Sequence, residues 1–226
     1  MLALRRSYNN EALQCGKSSA TAVIKEGKIM PYIPVAQKTP WQQSDEIDLS
    51  RTAILVIDAL GGEGGVMPGL EEFAQNCIDI VKAARTKGVP VVFTNDAHIP
   101  GLDRELELWG EHGIVGTDAA QPLVGFEVQE GDYIVPKRRY DGFFQTDLDL
   151  TLRELGVDTL IVVGCDTNIC VLQTLAGAYF RGYKSVVAAD ATATFLIGTQ
   201  ESGLEYFTRC YDSRVVLTSK ILEYLA

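Results

Sequence analysis

Asp158-Thr-Leu-Ile-Val-Val-Gly-Cys-Asp-Thr-Asn-Ile-Cys-Val-Leu-Gln-Thr174 is the stretch whose reading decides the fold. Leu160 to Val163 is a short, unbroken apolar run, as expected of a strand buried on both faces. Gly164 is read as ending that strand. Thr167 is a capping type, and Val171, Leu175, Ala178 and Tyr179 follow at helical spacing until Gly182. The expected order is strand, tight turn, helix, with Cys170 in the helix's first turn. A thiol there feels the positive end of the helix dipole and free backbone N–H groups, both of which lower its pKa. Open α/β sheets place ligands at such turns. On this stretch alone Cys170 reads first as a small buried apolar residue, since free Cys is often buried, and second as a nucleophile.

Outward from this stretch the pattern recurs. Thr52 to Ile57 is another buried strand, and Asp58 closes it. A carboxylate there is costly to bury unless it is paired or functional. The glycines that follow (Gly61, Gly62, Gly64, Gly65) make a flexible loop and match no phosphate-binding motif. Helical spacing runs from Gly69 to Lys87. Further strands are expected at Val89–Thr94, Asp132–Pro136, Lys184–Ala189 (closed by Asp190) and Arg214–Leu217. Helices are expected at Asp147–Leu155, at Thr199–Cys210 and after Ser219. Alternating strands and helices predict an α/β fold, a mostly parallel sheet with helices on both faces. Residues 1–48 lack periodicity and are read as an irregular N-terminal arm, punctuated by Pro31, Pro34 and Pro40; residues 49–226 form a single α/β domain.

The 226 residues are 46% hydrophobic, enough for one sizeable core, and carry a net charge of −10. That charge argues against binding nucleic acid or an anionic membrane. No apolar run is long enough to span a bilayer, and the first residues lack the apolar core of a signal peptide. The five cysteines are odd in number and mostly far apart, which suits reduced thiols in a cytoplasmic protein. Cys77 and Cys165 are read as packing residues.

Parallel topology brings distant residues together. Asp58, Asp96, Lys137 and Cys170 each fall at or beyond the carboxyl end of a different strand, so all four can meet along one sheet edge. A carboxylate can take the thiol proton and return it to a leaving amine, with a lysine ammonium holding both groups. Lys137 also begins the run Lys137-Arg138-Arg139, which alone reads as a solvated turn. Asp96, His98 and His112 form a three-ligand set suited to Zn²⁺ or a similar ion, or else two solvated loop histidines.

These residues resemble the isochorismatase-like cysteine hydrolases, and among them the nicotinamidases. The matching pieces are Ala-Ile-Leu-Val-Ile-Asp58, Pro-Lys137-Arg-Arg-Tyr-Asp-Gly-Phe, Gly-Cys-Asp-Thr-Asn-Ile-Cys170-Val and the later Gly-Tyr…Val-Val-Ala-Ala-Asp-Ala, within about Thr52 to Leu217. The resemblance implies a doubly wound sheet, an Asp58-Lys137-Cys170 triad, a thioester intermediate and a cis Cys165–Asp166 peptide. It implies oxyanion donors at the N–H groups of Asp166 and Cys170, and a divalent metal (Zn, with Fe or Mn as alternatives) on Asp96, His98 and His112. In nicotinamidases that metal holds the pyridine nitrogen. Trp109 and Phe143 are then candidates for packing the ring, or ordinary core aromatics. It further implies a homo-oligomer and a small-molecule amide substrate. Leu60 departs from the family, where many members carry Gln or Asn.

The leading expectation is an amidohydrolase converting nicotinamide to nicotinate and ammonia. The alternative keeps the triad and takes an N-carbamoyl compound, a ureido acid or maleamate, with Arg138 or Arg139 meeting a substrate carboxylate. A reading of another class is a non-catalytic ligand-binding or thiol-sensing protein on the same scaffold.

Overall fold

The structure is a computed structural model that describes residues 38–226 and the backbone of two short strands, β1 (Val23–Lys25) and β2 (Lys28–Met30). Those two strands pair antiparallel within the unit Met1–Gln37. The rest of the arm expectation for 1–37 lies outside the described residues. Residues 38–48 belong to the compact unit Lys38–Ala226. There Thr39 caps a short helix α1 (Pro40–Gln43), and the Arg214 guanidinium stacks 3.4 Å above the Trp41 ring.

Six parallel strands make the sheet: β3 (Thr52–Ile57), β4 (Val91–Asp96), β5 (Tyr133–Lys137), β6 (Thr159–Cys165), β7 (Lys184–Ala193) and β8 (Arg214–Val216). Their spatial order is β5-β4-β3-β6-β7-β8, with every neighbouring pair parallel. The chain builds outward from β3 in one direction and from β6 in the other, so the order reverses between β3 and β6. That reversal is the crevice where doubly wound sheets bind ligands.

Alternation along each strand sends side chains to two cores. On one face Ile54, Val56, Phe93, Ile161 and Val163 meet α2 (Glu71–Thr86) and α7 (Thr218–Tyr224) through Cys77, Ile80, Val81 and Ile221. On the other, Leu55, Ile57, Val92, Leu160 and Val162 meet α4 (Leu148–Glu154), α5 (Leu172–Phe180) and α6 (Gln200–Cys210). Each such aliphatic side chain contributes about 1.5–3 kcal/mol on burial. Both faces are covered along β3 and β6, which is why these two strands read as unbroken apolar runs, whereas β5 at the sheet edge is exposed at Tyr133 and Ile134. A short helix α3 (Glu105–Trp109) lies in the β4–β5 connection.

Three local expectations are corrected. Strand β6 continues through Gly164 to Cys165, because Gly164 has φ +122° and a Cβ there would sit 1.9 Å from the Ile57 carbonyl oxygen. Strand β7 likewise runs past Asp190 to Ala193, with a register shift against β6 between Val162 and Gly164. Asp190 accepts from the N–H and hydroxyl of Thr218 at 2.7 Å each, joining β7 to the start of α7. The helix after β6 is capped by Asp166, whose side chain accepts from Asn168 N at 2.8 Å, and it opens with a π-helical turn, Thr167–Val171, before α5. The Cys165–Asp166 peptide is cis, as the family resemblance implies.

Candidate active site

Asp58, Asp96, Lys137 and Cys170 meet on one edge, as parallel topology requires. Asp58 follows β3, Asp96 and Lys137 end β4 and β5, and Cys170 sits in the π-helical turn after β6. Asp96 and Lys137 are register partners on adjacent strands. Lys137 is 1% exposed. Its ammonium lies 2.6 Å from Asp58 Oδ2, against Asp96 Oδ1, and 3.7 Å from Cys170 Sγ. An ammonium has three N–H donors, and each faces one of these acceptors. One oxygen of each carboxylate and the sulfur lie within 4.8 Å of one another around it.

Electrostatics divides the two carboxylates. Burial, then the neighbouring Asp96, push the Asp58 carboxyl up to about 6 against the pull of Lys137. Burial also opposes ionisation of Asp96, but Lys137 and His98 outweigh it and hold that carboxyl at about 2. Two acids pushed apart in this way are suited to different tasks: one can exchange a proton close to neutral pH, and the other stays an anion. Lys137 remains charged, since the surrounding anions overcome its burial.

The thiol does not follow the expectation of a lowered pKa. Burial and the Asp58 charge push Cys170 well above the ordinary thiol value, although Lys137 pulls it down. The helix-end argument counted only local dipoles, whereas the thiol is buried beside two carboxylates. A protonated thiol at Cys170 has the Asp58 carboxylate beside it, within 4.8 Å, as a group able to accept its proton. Cys165 is separate: its thiol donates to the Asp58 carbonyl oxygen at 3.0 Å and packs in the opposite core.

Asp96 also faces a second cluster. Its Oδ1 is 3.5 Å from His98 Nε2 and its Oδ2 is 3.9 Å from His112 Nε2. These spacings are too long for hydrogen bonds. The two rings meet edge to face at 4.8 Å. His98 is fully buried, yet neither ring nitrogen has a hydrogen-bond partner. His112 Nδ1 lies 2.8 Å from the Gly110 carbonyl oxygen, which leaves Nε2 free to bind. His98 Nδ1 faces Asp103 Oδ2 at 3.7 Å. A ligand histidine whose other nitrogen is turned to a carbonyl or carboxylate is the usual arrangement around metals. Asp96, His98 and His112 can thus hold a divalent cation.

Glu105 belongs with them and was missed from the sequence. It is buried at the start of α3, its Oε2 has no hydrogen-bond partner, and it lies 3.8 Å from His98 Nε2. Its position between His98 and His112 in the chain was the available signal.

Arg138 and Arg139 both turn toward Asp103 while their side chains stay 43% and 42% exposed. Arg138 grips the buried Asp103 from Nε at 3.0 Å and Nη2 at 2.5 Å, and Arg139 Nη1 reaches the same carboxylate at 3.3 Å. Trp109 is exposed, and its indole N–H donates to Tyr140 Oη at 2.8 Å. Phe143 packs in the core against Tyr183, with Arg181 above its ring. Leu60 forms a bridge with Pro122.

The isochorismatase domain family matches residues 52–219 of this chain. The chain belongs to the isochorismatase family. Isochorismatase-family relatives include the ureidoacrylate amidohydrolase RutB of Variovorax paradoxus, 29% identical over 194 residues, 72% of this chain and 77% of that protein. Among solved structures, N-carbamoylsarcosine amidase from Thermoplasma acidophilum is 32% identical with TM-score 0.68, covering 74% of this chain and 96% of that one. Nicotinamidase PncA from Bacillus subtilis is 26% identical with TM-score 0.66, covering 74% and 99%. The chain is an enzyme, an isochorismatase-family amidohydrolase of the cysteine-hydrolase type. Among the described residues no helix is long and apolar enough to cross a membrane.

Proposed function

We propose that the protein hydrolyses a small primary amide, nicotinamide first, to the acid and ammonia through a thioester on Cys170. The observation that carries this reading is Lys137 joining Asp58, Asp96 and Cys170 while Asp96 also faces His98 and His112.

The residues divide the chemistry as follows. Asp58 takes the Cys170 proton as the sulfur attacks the amide carbon, so a C–S bond forms as the S–H bond breaks. The N–H groups of Asp166 and Cys170 receive the developing oxyanion, each worth about 3 kcal/mol where such donors have been measured. Asp58 then gives its proton to the amide nitrogen, the C–N bond breaks and ammonia leaves. A water loses a proton to Asp58, attacks the thioester and yields the acid, and the proton returns to sulfur. Lys137 keeps charge balanced by remaining an ammonium beside whichever of Asp58 and Cys170 is anionic.

Asp96, His98 and His112 would hold a divalent metal, Zn²⁺ first, with Glu105 beside them. When bound it would supply a Lewis-acid contact for the pyridine nitrogen and so orient the ring. Glu105 and Asp96 supply the anionic charge such an ion needs. A cytoplasmic setting would keep the Cys170 thiol reduced, as this chemistry requires.

A second reading is favoured by the names of the relatives: an N-carbamoyl or ureido compound as the amide. The test is ammonia release from nicotinamide by purified protein, before and after chelation and re-addition of Zn²⁺, with Cys170→Ala alongside. Turnover that needs Cys170 and falls with the chelator supports the first reading. Turnover of ureidoacrylate or N-carbamoylsarcosine alone, indifferent to chelation, replaces it with the second. Ammonia release by Cys170→Ala at the wild-type rate would sink both.

A further inference from the structure

The main chain of His98 is pinned by the segment that follows His112. Its N–H donates to the Gly113 carbonyl at 2.8 Å, and its carbonyl accepts from Val115 N at 2.9 Å. This bridge brings the two histidines together, but it does not orient the His98 ring. The last torsion of a histidine is broad and roughly two-fold, so the backbone leaves open which nitrogen lies on which side. The charges around the ring do not. Nδ1 faces Asp103 Oδ2 at 3.7 Å, whereas Nε2 faces Asp96 Oδ1 at 3.5 Å and Glu105 Oε2 at 3.8 Å.

Asp103 is held firmly for a loop residue. Its carboxylate is fully buried. Oδ2 accepts from Ile99 N at 2.7 Å and from Arg138 Nε at 3.0 Å. Oδ1 accepts from Arg138 Nε at 3.0 Å, Arg138 Nη2 at 2.5 Å and Arg139 Nη1 at 3.3 Å. Arg138 directly follows Lys137, so the end of β5 supplies both the ammonium at Cys170 and the clamp on Asp103. A clamp of this kind would staple the loop wherever the ring lay. It does not require that Oδ2 face the edge of a buried imidazole. A carboxylate oxygen at this range attracts an N–H and repels a lone pair. Asp103 therefore favours the ring with its proton on Nδ1, which turns the Nε2 lone pair toward Asp96. His112 is arranged alike: its Nδ1 lies 2.8 Å from the Gly110 carbonyl oxygen, and its Nε2 faces Asp96 Oδ2 at 3.9 Å.

We propose that Asp103 is a positioning residue for the metal centre. Clamped by Ile99 N–H and Arg138, it keeps the His98 proton on Nδ1 and commits Nε2 as the ligand. This rests on the reading of Asp96, His98 and His112 as a divalent-cation site. In that role Asp103 touches neither the ion nor the substrate.

Zn²⁺ affinity, measured by calorimetry on the full chain, tests this apart from turnover. Asp103→Asn is expected to weaken Zn²⁺ binding by about 10–100-fold, the usual worth of such an outer partner. Arg138→Gln is the comparison. It takes the guanidinium from the same carboxylate but leaves Asp103 facing the ring, so it lowers the urea midpoint while Zn²⁺ affinity stays close to wild type. A second readout needs no variant. In wild-type protein labelled with ¹⁵N-histidine and loaded with ¹¹³Cd²⁺, both histidines couple to cadmium through Nε2 and carry the proton on Nδ1. Coupling through Nδ1, unchanged Zn²⁺ affinity in Asp103→Asn, an equal loss in Arg138→Gln, or no ion bound by the wild type overturns the proposal. Zn²⁺-dependent turnover of nicotinamide with unchanged affinity in Asp103→Asn sinks the proposal and leaves the functional reading. Affinity lost in Asp103→Asn alone, with no amide hydrolysed by the wild type, does the reverse.

Discussion

Asp58 and Asp96, from neighbouring strands, are bound to each other: Asp58 Oδ1 accepts the backbone N–H of Asp96 at 2.8 Å. The other Asp58 oxygen faces Lys137 at 2.6 Å. The bond to the Asp96 N–H ties the end of β3 to β4, and Asp58 itself has φ +46°, a left-handed conformation uncommon outside glycine.

The pH profile follows from Asp58. Its carboxyl is pushed up to about 6, and it must be ionised to take the thiol proton. kcat/KM is expected to be flat at neutral pH and to fall as pH drops through about 6, tending to a ten-fold loss per unit below it. A rate that stays level down to pH 4.5, well below that value, would show that another group carries the proton.

Asp58→Asn should move two readouts in opposite directions. Hydrolysis falls by about 10²–10⁴-fold, the usual worth of a general base. Alkylation of Cys170 at neutral pH becomes faster, because a charge that raises the thiol's pKa is gone while Lys137 still faces the sulfur. Stopped assays of ammonia release and of iodoacetamide uptake check the pair.

Lys137→Met leaves Asp58 and Asp96 buried with no ammonium between them. Removing one partner from a buried ion cluster costs about 3–5 kcal/mol. Urea unfolding should show that loss near pH 8. The deficit should shrink toward pH 5, where the carboxyls can become neutral. An unchanged midpoint at pH 8 would mean that the cluster relaxes freely.

Gly164→Ala tests the crevice itself. The added Cβ would lie 1.9 Å from the Ile57 carbonyl oxygen at φ +122°, so β3 and β6 must part. A destabilisation above about 4 kcal/mol, or failure to fold, is expected from backbone strain of this kind. Wild-type stability of this variant would contradict the observed approach of the strands.

What the sequence alone determined rests on periodicity and order. Apolar runs at Thr52–Ile57 and Leu160–Val163, alternating with helical spacing, require strands covered on both faces, and parallel strands put their carboxyl ends on one edge. Asp58, Lys137 and Cys170 were legible as candidates because each falls at or beyond the carboxyl end of a strand, Cys170 in the turn that follows β6. Asp96, His98 and His112 were legible as ligand types, and the fold brings them together. Only the tertiary structure decided the sign of the Cys170 shift, since burial and the Asp58 charge come from segments far away in the chain and outweigh the local dipole. It alone turned Arg138 and Arg139 toward Asp103, set Glu105 beside His98, carried β6 through Gly164, and tied Phe195 and Leu196 to Asp166. Local pattern records which face of an element is apolar; charge balance and close approach depend on which distant residues share the space.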